Sequence, residues 1–370
     1  MLTPLDDYLG HQTPDPIANV VTSDRNFYDR YYFNCHDLTG DTFLVVAMGA
    51  YPNLGVIDAF ATLVQRNERQ FVVRASRELR GDRSRTAVGP IGVEVLEGLR
   101  RFRVWCEPNE WGLSFDLTFE GSTFPFEEPH FLRRAGTRVV MDYTRLTQTG
   151  RWSGEITVGD ERHAVDPVGW RGARDHSWGI RPVGDRDRGG APVRDGQGGF
   201  FWNWAPLQFD DHTLMYTVSE NHDGSRWHEA AARLYPYDAD RKQEPLSVVR
   251  HDLRLKKGTR TFDGGAIVLR QSDGRESTLT LEPLSLLHMA GAGYAYAGDL
   301  WRHGQYHGEL AIEGETWDIT DPALVARLAG QSETVCRAMY DGHTGYGIFE
   351  FILFGLYEPY GFHSLTDVAH

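Results

Sequence analysis

The chain has 370 residues, and its 38 Lys+Arg against 52 Asp+Glu give a formal net charge of −14. This acidic balance argues against a nucleic-acid binder, which normally presents a basic face to phosphates. The 41% hydrophobic and 24% charged residues exclude a wholly disordered chain, and 12% aromatic residues with 40 Gly and 17 Pro are typical of a turn-rich β protein.

The first ten residues, MLTPLDDYLG, are acidic and lack the basic and apolar regions of a secretory signal. The longest apolar stretches fall well short of the roughly 20 residues that a membrane-spanning helix needs. Cys35, Cys106 and Cys336 are odd in number, widely spaced and form no CxxC, which is typical of reduced, buried thiols. We therefore expect a cytoplasmic protein without a transmembrane segment.

Short alternating runs dominate the chain. Residues 114–120 place Phe115, Leu117 and Phe119 on one face and polar residues on the other, and residues 101–106 alternate in the same way. Turn residues recur about every 8–12 positions, a spacing typical of β-sandwiches and barrels. The sequence therefore predicts an all-β fold made of antiparallel strands.

Only two short helices are expected. The clearer one begins at Asp321, an N-cap residue followed by Pro322 in the first turn, and ends before Gly330. The other is expected at residues 17–28.

The middle of the chain is the expected domain boundary. Residues 184–199 are rich in Gly and charged residues without an apolar period, which indicates a linker or loop. A weak repeat relates residues 150–158 to residues 304–312, since both read G-x-aromatic-x-G-E-apolar-x-apolar. Coincidence between two similar strands is one explanation, and two related β domains, at 1–199 and 200–370, is the one we favour.

Several familiar chemistries lack their sequence markers. There is no GxSxG, no P-loop and no GxGxxG after a strand, so serine-hydrolase, NTPase and Rossmann interpretations are unsupported. His303 and His307, four residues apart, could share a strand face, but without an evident third ligand we favour ordinary polar residues over a metal site.

The segment at residues 169–182 carries the densest chemistry: a carboxylate, an imidazole, two indoles and three guanidinium groups between glycines. If it is extended, Arg174, His176 and Trp178 share one face and Asp175 lies on the other. A histidine beside an acid has a tunable proton, which favours proton transfer. The alternative is a structural clamp between Asp175 and an arginine.

Residues 175–179, Asp-His-Ser-Trp-Gly, preceded by Gly-Trp, resemble the signature of the lipocalin-like carotenoid 1,2-hydratase (hydroxyneurosporene synthase) superfamily. That superfamily includes AttH-type proteins, kievitone hydratase-like proteins and lipocalin-type Diels–Alderases. The strands at residues 150–155 and 345–350 are similar to this group too. The resemblance implies two consecutive calycin-like β domains, an apolar cavity in or between them, and acid–base chemistry without a metal or organic cofactor.

The resemblance also implies a role for His176, which with Trp178 matches the His-x-Trp of the hydratase motif; the other site residues are expected from their own chemistry. His176 matches the histidine expected to handle the proton, with Asp175 as its orienting partner or as a second acid. Tryptophan faces stabilise positive charge that develops during alkene protonation or loss of an allylic hydroxyl. The expected substrate contacts are Trp178, Trp202, Trp204, Arg174 and Tyr306.

We therefore expect a hydro-lyase, or an isomerase or cyclase, acting on an isoprenoid or polycyclic molecule by hydration, dehydration, isomerisation or cyclisation. The alternatives are a non-catalytic carrier of an apolar ligand, of the lipocalin type, and a structural or regulatory β protein. A titratable pair that lines the cavity would favour the enzyme. A lumen of aromatic and aliphatic side chains alone would favour the carrier.

Overall fold

The computed structural model describes residues 2–7, 9–184, 199–294, 301–328 and 330–370. Nearly all regular structure in these ranges is β-strand, as the alternating sequence predicted. The predicted loop at residues 184–199 lies, apart from its two ends, outside the described residues.

The first half of the chain builds a single sheet. Its strands are β1 (Phe27–Asp37), β2 (Thr42–Tyr51), β3 (Val56–Gln65), β4 (Arg69–Glu78), β5 (Ala87–Val88), β6 (Ile91–Glu97), β7 (Arg101–Cys106), β8 (Leu113–Gly121), β9 (Phe126–Glu127), β10 (Phe131–Ala135), β11 (Arg138–Val158), β12 (Glu161–Val165) and β13 (Trp170–Ile180). Two 3₁₀ turns accompany them, at Pro4–Asp7 and Pro52–Leu54.

The second half builds a barrel, gives one strand to the first sheet and contains an α-helix. Its elements are β14 (Gly199–Gln208), β15 (Thr213–Glu220), β16 (Arg226–Leu234), β17 (Gln243–Leu255), β18 (Phe262–Arg270), β19 (Glu276–His288), β20 (Leu310–Asp318), α1 (Pro322–Leu328), β21 (Ser332–Tyr340) and β22 (His343–Gly355). A 3₁₀ turn follows at Glu358–Tyr360.

The strands form two antiparallel systems. Among the described residues, β14 to β19 with β21 and β22 close into an eight-stranded barrel. The first sheet runs β20-β4-β3-β2-β1-β13-β11-β8-β7-β6-β5, with β9, β10 and β12 paired to β11, and it curls until β3 contacts β5 and β6 and β4 contacts β8. The predicted all-β fold, with a lipocalin-like closed barrel, is confirmed.

The burial of each strand follows from what covers its faces. β2, with the sequence TFLVVAMGAY, is buried along almost its whole length because the curl covers one face and the barrel covers the other. β8 alternates buried and accessible residues because its outer face meets solvent. A continuous apolar run therefore marks the part of the sheet that lies against the barrel.

The three largest apolar clusters among the described residues hold the two β systems together. One fills the curl of the first sheet, and one fills the barrel. The third joins the two systems; among its members are Tyr32, Phe43, Val45 and Ala173 from the first sheet and Trp204, Met215, Val335 and Ile348 from the barrel. Since the barrel interior is packed with side chains, the space for a ligand lies elsewhere.

The two helix predictions have different outcomes. The helix after Asp321 is confirmed as α1, and the Asp321 carboxylate accepts a hydrogen bond from the Ala323 main-chain N–H at 2.9 Å. The helix predicted at residues 17–28 is wrong. There, Thr22 and Asp24 side chains bond the main-chain N–H groups two residues ahead, and such local bonds compete with helix formation.

The repeat does not mark one strand in each of two domains. Residues 150–158 lie within β11, whereas residues 304–312 enter a strand only at Leu310. That strand, β20, pairs with β4, so both copies belong to the first sheet. A shared apolar pattern does not determine which sheet a strand joins. The division into 1–199 and 200–370 stays a prediction.

Cys35, Cys106 and Cys336 are buried and unpaired, as predicted. No helix among the described residues has the length and apolar character needed to cross a membrane.

Candidate active site

β13 brings the motif at residues 169–182 to the centre of the first sheet, between β1 and β11. The predicted parity is confirmed. Arg174 and His176 face the inside of the curl, where Arg174 lies over the Phe102 ring and His176 over the Tyr31 ring. Asp175 and its neighbour Ser177 face the barrel.

A cavity of about 320 Å³ lies between this outer face of the sheet and the wall of the barrel. Aromatic and aliphatic side chains form much of its surface: Tyr32, Phe131, Met141, Tyr143, Phe200, Trp202, Trp227, Met289, Tyr294, Ile352 and Phe354. Ionisable groups also line it, namely Arg30, Arg145, Arg181, Asp175, Glu333 and Glu350. Apolar walls with a few convergent polar groups are typical of small-molecule sites.

Two of the carboxyl groups form a pair. Glu333 of β21 and Glu350 of β22 are directly opposite each other in the strand register, and both are buried. The Tyr32 hydroxyl donates a hydrogen bond to Glu333 Oε2, and the Gln331 amide donates one to Glu350 Oε1. Each carboxyl is therefore held in position by a neutral donor and not by a cation.

Burial determines the protonation of this pair. Burial and the neighbouring Glu350 raise the pKa of Glu333 well above its usual range. Burial also raises the pKa of Glu350 to about 7, although Arg145 opposes the shift. Two adjacent carboxyls in a site of low dielectric cannot both ionise readily, so near neutral pH the pair retains at least one proton.

The two oxygens of Glu333 have different surroundings. Oε2 accepts from Tyr32, while Oε1 is buried without a hydrogen-bond partner among the described residues. Oε1 is therefore the oxygen of this carboxyl that keeps unused hydrogen-bonding capacity.

Asp175 is the third carboxyl of the cavity. No ion pair or hydrogen bond engages its side chain within the part of the chain that the structure describes. Burial raises its pKa, with Arg145 and Arg30 acting in the opposite direction. An unengaged carboxyl that faces a cavity is suited to accept or donate a proton.

A buried ion pair supports the floor of the cavity. Arg145 on β11 donates to both oxygens of Glu128, at 2.9 and 2.6 Å, and its guanidinium lies over the Trp202 and Trp204 rings. The Trp204 indole donates to the same Glu128 carboxylate at 3.1 Å. As predicted, Trp202 and Trp204 share a strand face, but only Trp202 lines the cavity.

His176 has a different partner from the predicted one. Its Nε2 lies 2.7 Å from Asp29 Oδ1, and Asp175 points to the opposite side of the sheet. The expected His176–Asp175 pairing is therefore wrong, because neighbouring residues of a strand face opposite ways. The catalytic role of His176 stays a prediction.

The other predicted substrate contacts lie outside the cavity. Trp178 packs edge-on against His176 and is 38% exposed. Arg174 is buried in the curl and donates to Gln148 Oε1 at 2.8 Å. It therefore does not form the structural ion pair with Asp175 that the sequence left as an alternative. Tyr306 is exposed and donates to Glu78 at 3.3 Å. Their substrate-binding roles stay predictions.

The histidines considered for a metal have separate partners. His303 Nδ1 is 3.8 Å from Asp58 Oδ2, and His307 stacks on Trp301 at 3.9 Å. Among the described residues, no three His, Cys, Asp or Glu side chains are placed to hold a metal ion together.

Comparison with known families identifies the chain. The model described as "Family of unknown function (DUF8625)" matches residues 2–363. The chain belongs to this family. No curated protein matches the sequence significantly.

The DUF8625 chain is similar in fold to several solved structures. An AttH-like protein from Nitrosomonas europaea has a TM-score of 0.54 at 15% identity, covering 88% of this chain and 92% of that one. CghA, solved with Sch210972, has a TM-score of 0.50 at 12% identity, with coverages of 90% and 89%. Kievitone hydratase from Nectria haematococca has a TM-score of 0.44 at 12% identity, with coverages of 87% and 88%. The first two confirm, at the level of the fold, the resemblance seen in the sequence.

Sequence reasoning missed the glutamate pair of this DUF8625 protein. Glu350 interrupts a run of apolar residues in β22, and Glu333 lies in the buried strand β21. A carboxyl in the middle of a buried strand is rare enough to be a usable signal. The sequence could not show that the two face each other, since that depends on the β21–β22 register.

Proposed function

We propose that this protein is a cofactor-independent acid–base enzyme that acts on a hydrophobic small molecule, isoprenoid or polycyclic, by hydration, dehydration, isomerisation or cyclisation. The observation that supports it is the Glu333–Glu350 pair, which retains a proton inside an aromatic-lined cavity. A titratable pair of this kind is the feature expected of an enzyme and not of a simple carrier. The shared fold of the AttH-like protein and CghA is consistent with it.

Glu350 is the best candidate for the proton donor. Its pKa of about 7 is close to neutral pH, where a general acid is most effective. In hydration, its O–H gives the proton to an alkene carbon, and the positive charge that develops faces the Trp202 ring. Water adds to the cation, and the Glu350 carboxylate takes a proton from the added water. Dehydration is the reverse, and loss of a different carbon-bound proton gives an isomer.

The other two carboxyls have supporting roles in this proposal. Glu333 stays neutral and donates from Oε1 to the hydroxyl that adds or leaves. We assign Asp175, on the opposite wall, to exchange a proton with water or with the substrate. Acid and base groups on facing walls permit proton transfer on both sides of a bound molecule.

Carbon–deuterium exchange tests this proposal even where the product is unidentified. The full-length protein is incubated in D₂O with a panel of isoprenoid and polycyclic alkenes and tertiary alcohols, and mass gain is followed by mass spectrometry. Glu350→Gln should lower the rate of deuterium incorporation by about 10²–10⁴, the usual value of a positioned acid–base group. Glu282→Gln, at an exposed ion pair with Arg337 on the barrel, is the matched control and should exchange at the parental rate.

Two further variants compare the candidate proton carriers. Asp175→Asn should slow exchange, whereas His176→Ala, on the other side of the sheet, should retain most of it. Loss of exchange in His176→Ala together with a parental rate in Glu350→Gln would overturn our assignment in favour of His176. Saturable ligand binding with no exchange for any panel member would favour the carrier.

A further inference from the structure

The three arginines that line the cavity differ in whether they form an ion pair. Arg30 on β1 and Arg181, which directly follows β13, both line the cavity. Among the residues that the structure describes, neither guanidinium lies within 4 Å of a carboxylate, whereas Arg145 is fully engaged by Glu128. The side-chain partner that Arg30 and Arg181 share is the Tyr294 hydroxyl, at 3.3 and 3.5 Å.

Aromatic rings pack against the flat faces of both guanidinium groups. The Arg30 guanidinium lies over the Phe60 and Tyr294 rings, and that of Arg181 lies over the Tyr28 ring. Aromatic faces stabilise a guanidinium but accept none of its in-plane N–H bonds. The donor edges of both groups are therefore still available to a ligand.

Tyr294 supplies a third donor at the same place. Its oxygen accepts from both arginines, and no acceptor for its own proton is present among the described residues, so that proton can be donated to a ligand. Burial raises the pKa of Tyr294, but Arg30 and Arg181 outweigh burial and lower it, as expected for a hydroxyl beside two cations. Three donors thus converge on one part of the cavity.

The nearby carboxyls act on this site from a distance and not as ion pairs within the described ranges. Burial favours the neutral forms of Asp175, Glu333 and Glu350, and none of the three contacts Arg30 or Arg181 as an ion pair within the described ranges. A buried cation without an anionic partner is unfavourable for folding, and Arg30 is buried while Arg181 is partly buried beside it, so the pair points to a ligand that supplies the missing anion.

We propose that the substrate is a hydrophobic acid whose oxyanion binds between Arg30 and Arg181, with its apolar skeleton against the aromatic walls. This proposal rests on the proposed function and adds the substrate class to it. A guanidinium fork matches the geometry of a planar oxyanion, and the Tyr294 hydroxyl completes the contact. The anion fixes the orientation of the substrate relative to the glutamate pair.

A matched pair of fluorescent probes tests the proposal. 8-Anilinonaphthalene-1-sulfonate and N-phenyl-1-naphthylamine share one apolar skeleton and differ by the anionic group. The full-length protein at pH 7 should bind the sulfonate at least about tenfold more tightly, since two charge-assisted contacts are gained. Trp202→Ala should weaken both probes, because its ring lines the cavity.

Arginine variants show whether the preference arises at this site. Arg30→Met and Arg181→Met should each reduce sulfonate affinity by about tenfold and leave the neutral probe within about threefold. Arg30→Lys and Arg181→Lys keep the charge without the fork and should lose less. Arg103→Met, at an exposed ion pair with Asp116, is the control for binding to surface cations and should change neither affinity.

The outcomes separate this proposal from the proposed function. Equal affinity for the two probes, or sulfonate affinity unchanged in the arginine variants, would overturn the hydrophobic-acid assignment and leave the exchange experiment to decide on catalysis. Glu350→Gln should lose exchange but keep the sulfonate preference. Binding of neither probe would overturn the cavity as a ligand site and both proposals with it.

Discussion

At the scale of single residues, the cavity is unusual because of how its carboxyls are held. Glu333 and Glu350 receive hydrogen bonds from Tyr32 and Gln331, which are neutral groups. A cationic partner would have stabilised the ionised forms. With neutral donors and burial, the protonated form is favoured instead, as a general acid requires.

This arrangement makes stability depend on pH in a defined direction. Glu350 has a pKa of about 7 in the folded protein, against about 4.5 in the unfolded chain. Its neutral form is therefore favoured by folding, so its contribution is fully present below about pH 4.5 and is lost as the pH rises through 7. Relative to Glu350→Gln, the wild type should lose on the order of 3 kcal/mol between pH 4.5 and pH 8.

Urea unfolding of both proteins across this pH range measures the difference. Asp175, Arg145 and Arg30 also act on Glu350 and are present in both proteins, so their own titration largely cancels in the comparison. Glu333 does not cancel, because Glu350 raises its pKa in the wild type only, and this adds to the loss of wild-type stability at high pH. Glu282→Gln should track the wild type. A wild-type-minus-variant difference that stays constant from pH 4.5 to 8 would contradict the raised pKa.

At the scale of elements, β13 explains why the motif contains glycine. A Cβ at Gly172 would lie 1.9 Å from the Asn34 carbonyl oxygen and 2.5 Å from the Trp152 indole nitrogen. These two groups bond each other at 2.8 Å, across the space that Gly172 leaves open. Gly172 of β13 thus leaves room for Trp152 of β11 to bond Asn34 of β1, and this contact joins the three strands inside the curl of the first sheet.

Gly172→Ala should therefore lower the free energy of unfolding by about 1–3 kcal/mol, since the methyl group must displace main-chain atoms. Gly169→Ala is the control from the start of the same segment: its Cβ would meet only an Asp166 side-chain oxygen, at 3.4 Å. That variant should stay within about 0.5 kcal/mol of the parent. Equal stabilities of the two variants by chemical unfolding would refute this role of Gly172.

At the scale of the whole molecule, the cavity belongs to neither half alone. Arg30 and Asp175 come from the first sheet, while Trp202 and Glu350 come from the barrel. The chain also leaves the barrel after β19 to add β20 beside β4 before it returns as β21. The two systems are thus joined by apolar packing, by a cavity that both line, and by strand β20, which the second half of the chain contributes to the first sheet.

A ligand in the cavity should stabilise both systems together. At a concentration of about 100 Kd, it should add about 2.7 kcal/mol to the free energy of unfolding and raise the Tm of a single transition. The same ligand should quench tryptophan fluorescence, and the double variant Trp202→Phe/Trp227→Phe should remove most of the quenching because both rings line the cavity, whereas Trp178→Phe should not. Quenching that survives in the double variant would place the ligand elsewhere.

The sequence by itself determined the class of fold and the local parity. Alternating apolar residues predicted the strands, Asp321 with Pro322 predicted α1, and the two-residue period placed Asp175 opposite Arg174 and His176. These features depend on neighbours along the chain, so they can be read from it. The helix expected at residues 17–28 failed for a local reason too, namely side chains that bond the main chain.

Only the tertiary structure decided which side chains line the cavity. A strand has two faces, and the sequence does not show which of them meets a cavity. The motif therefore predicted His176 as the proton-transfer residue, although Asp175 is the residue that faces the barrel. The Glu333–Glu350 pair depends on the register of β21 with β22, and the contact of Arg30 and Arg181 with Tyr294 joins residues more than 100 positions apart. Burial between two β systems then raises the pKa of the carboxyls, and that property exists only once both walls have come together.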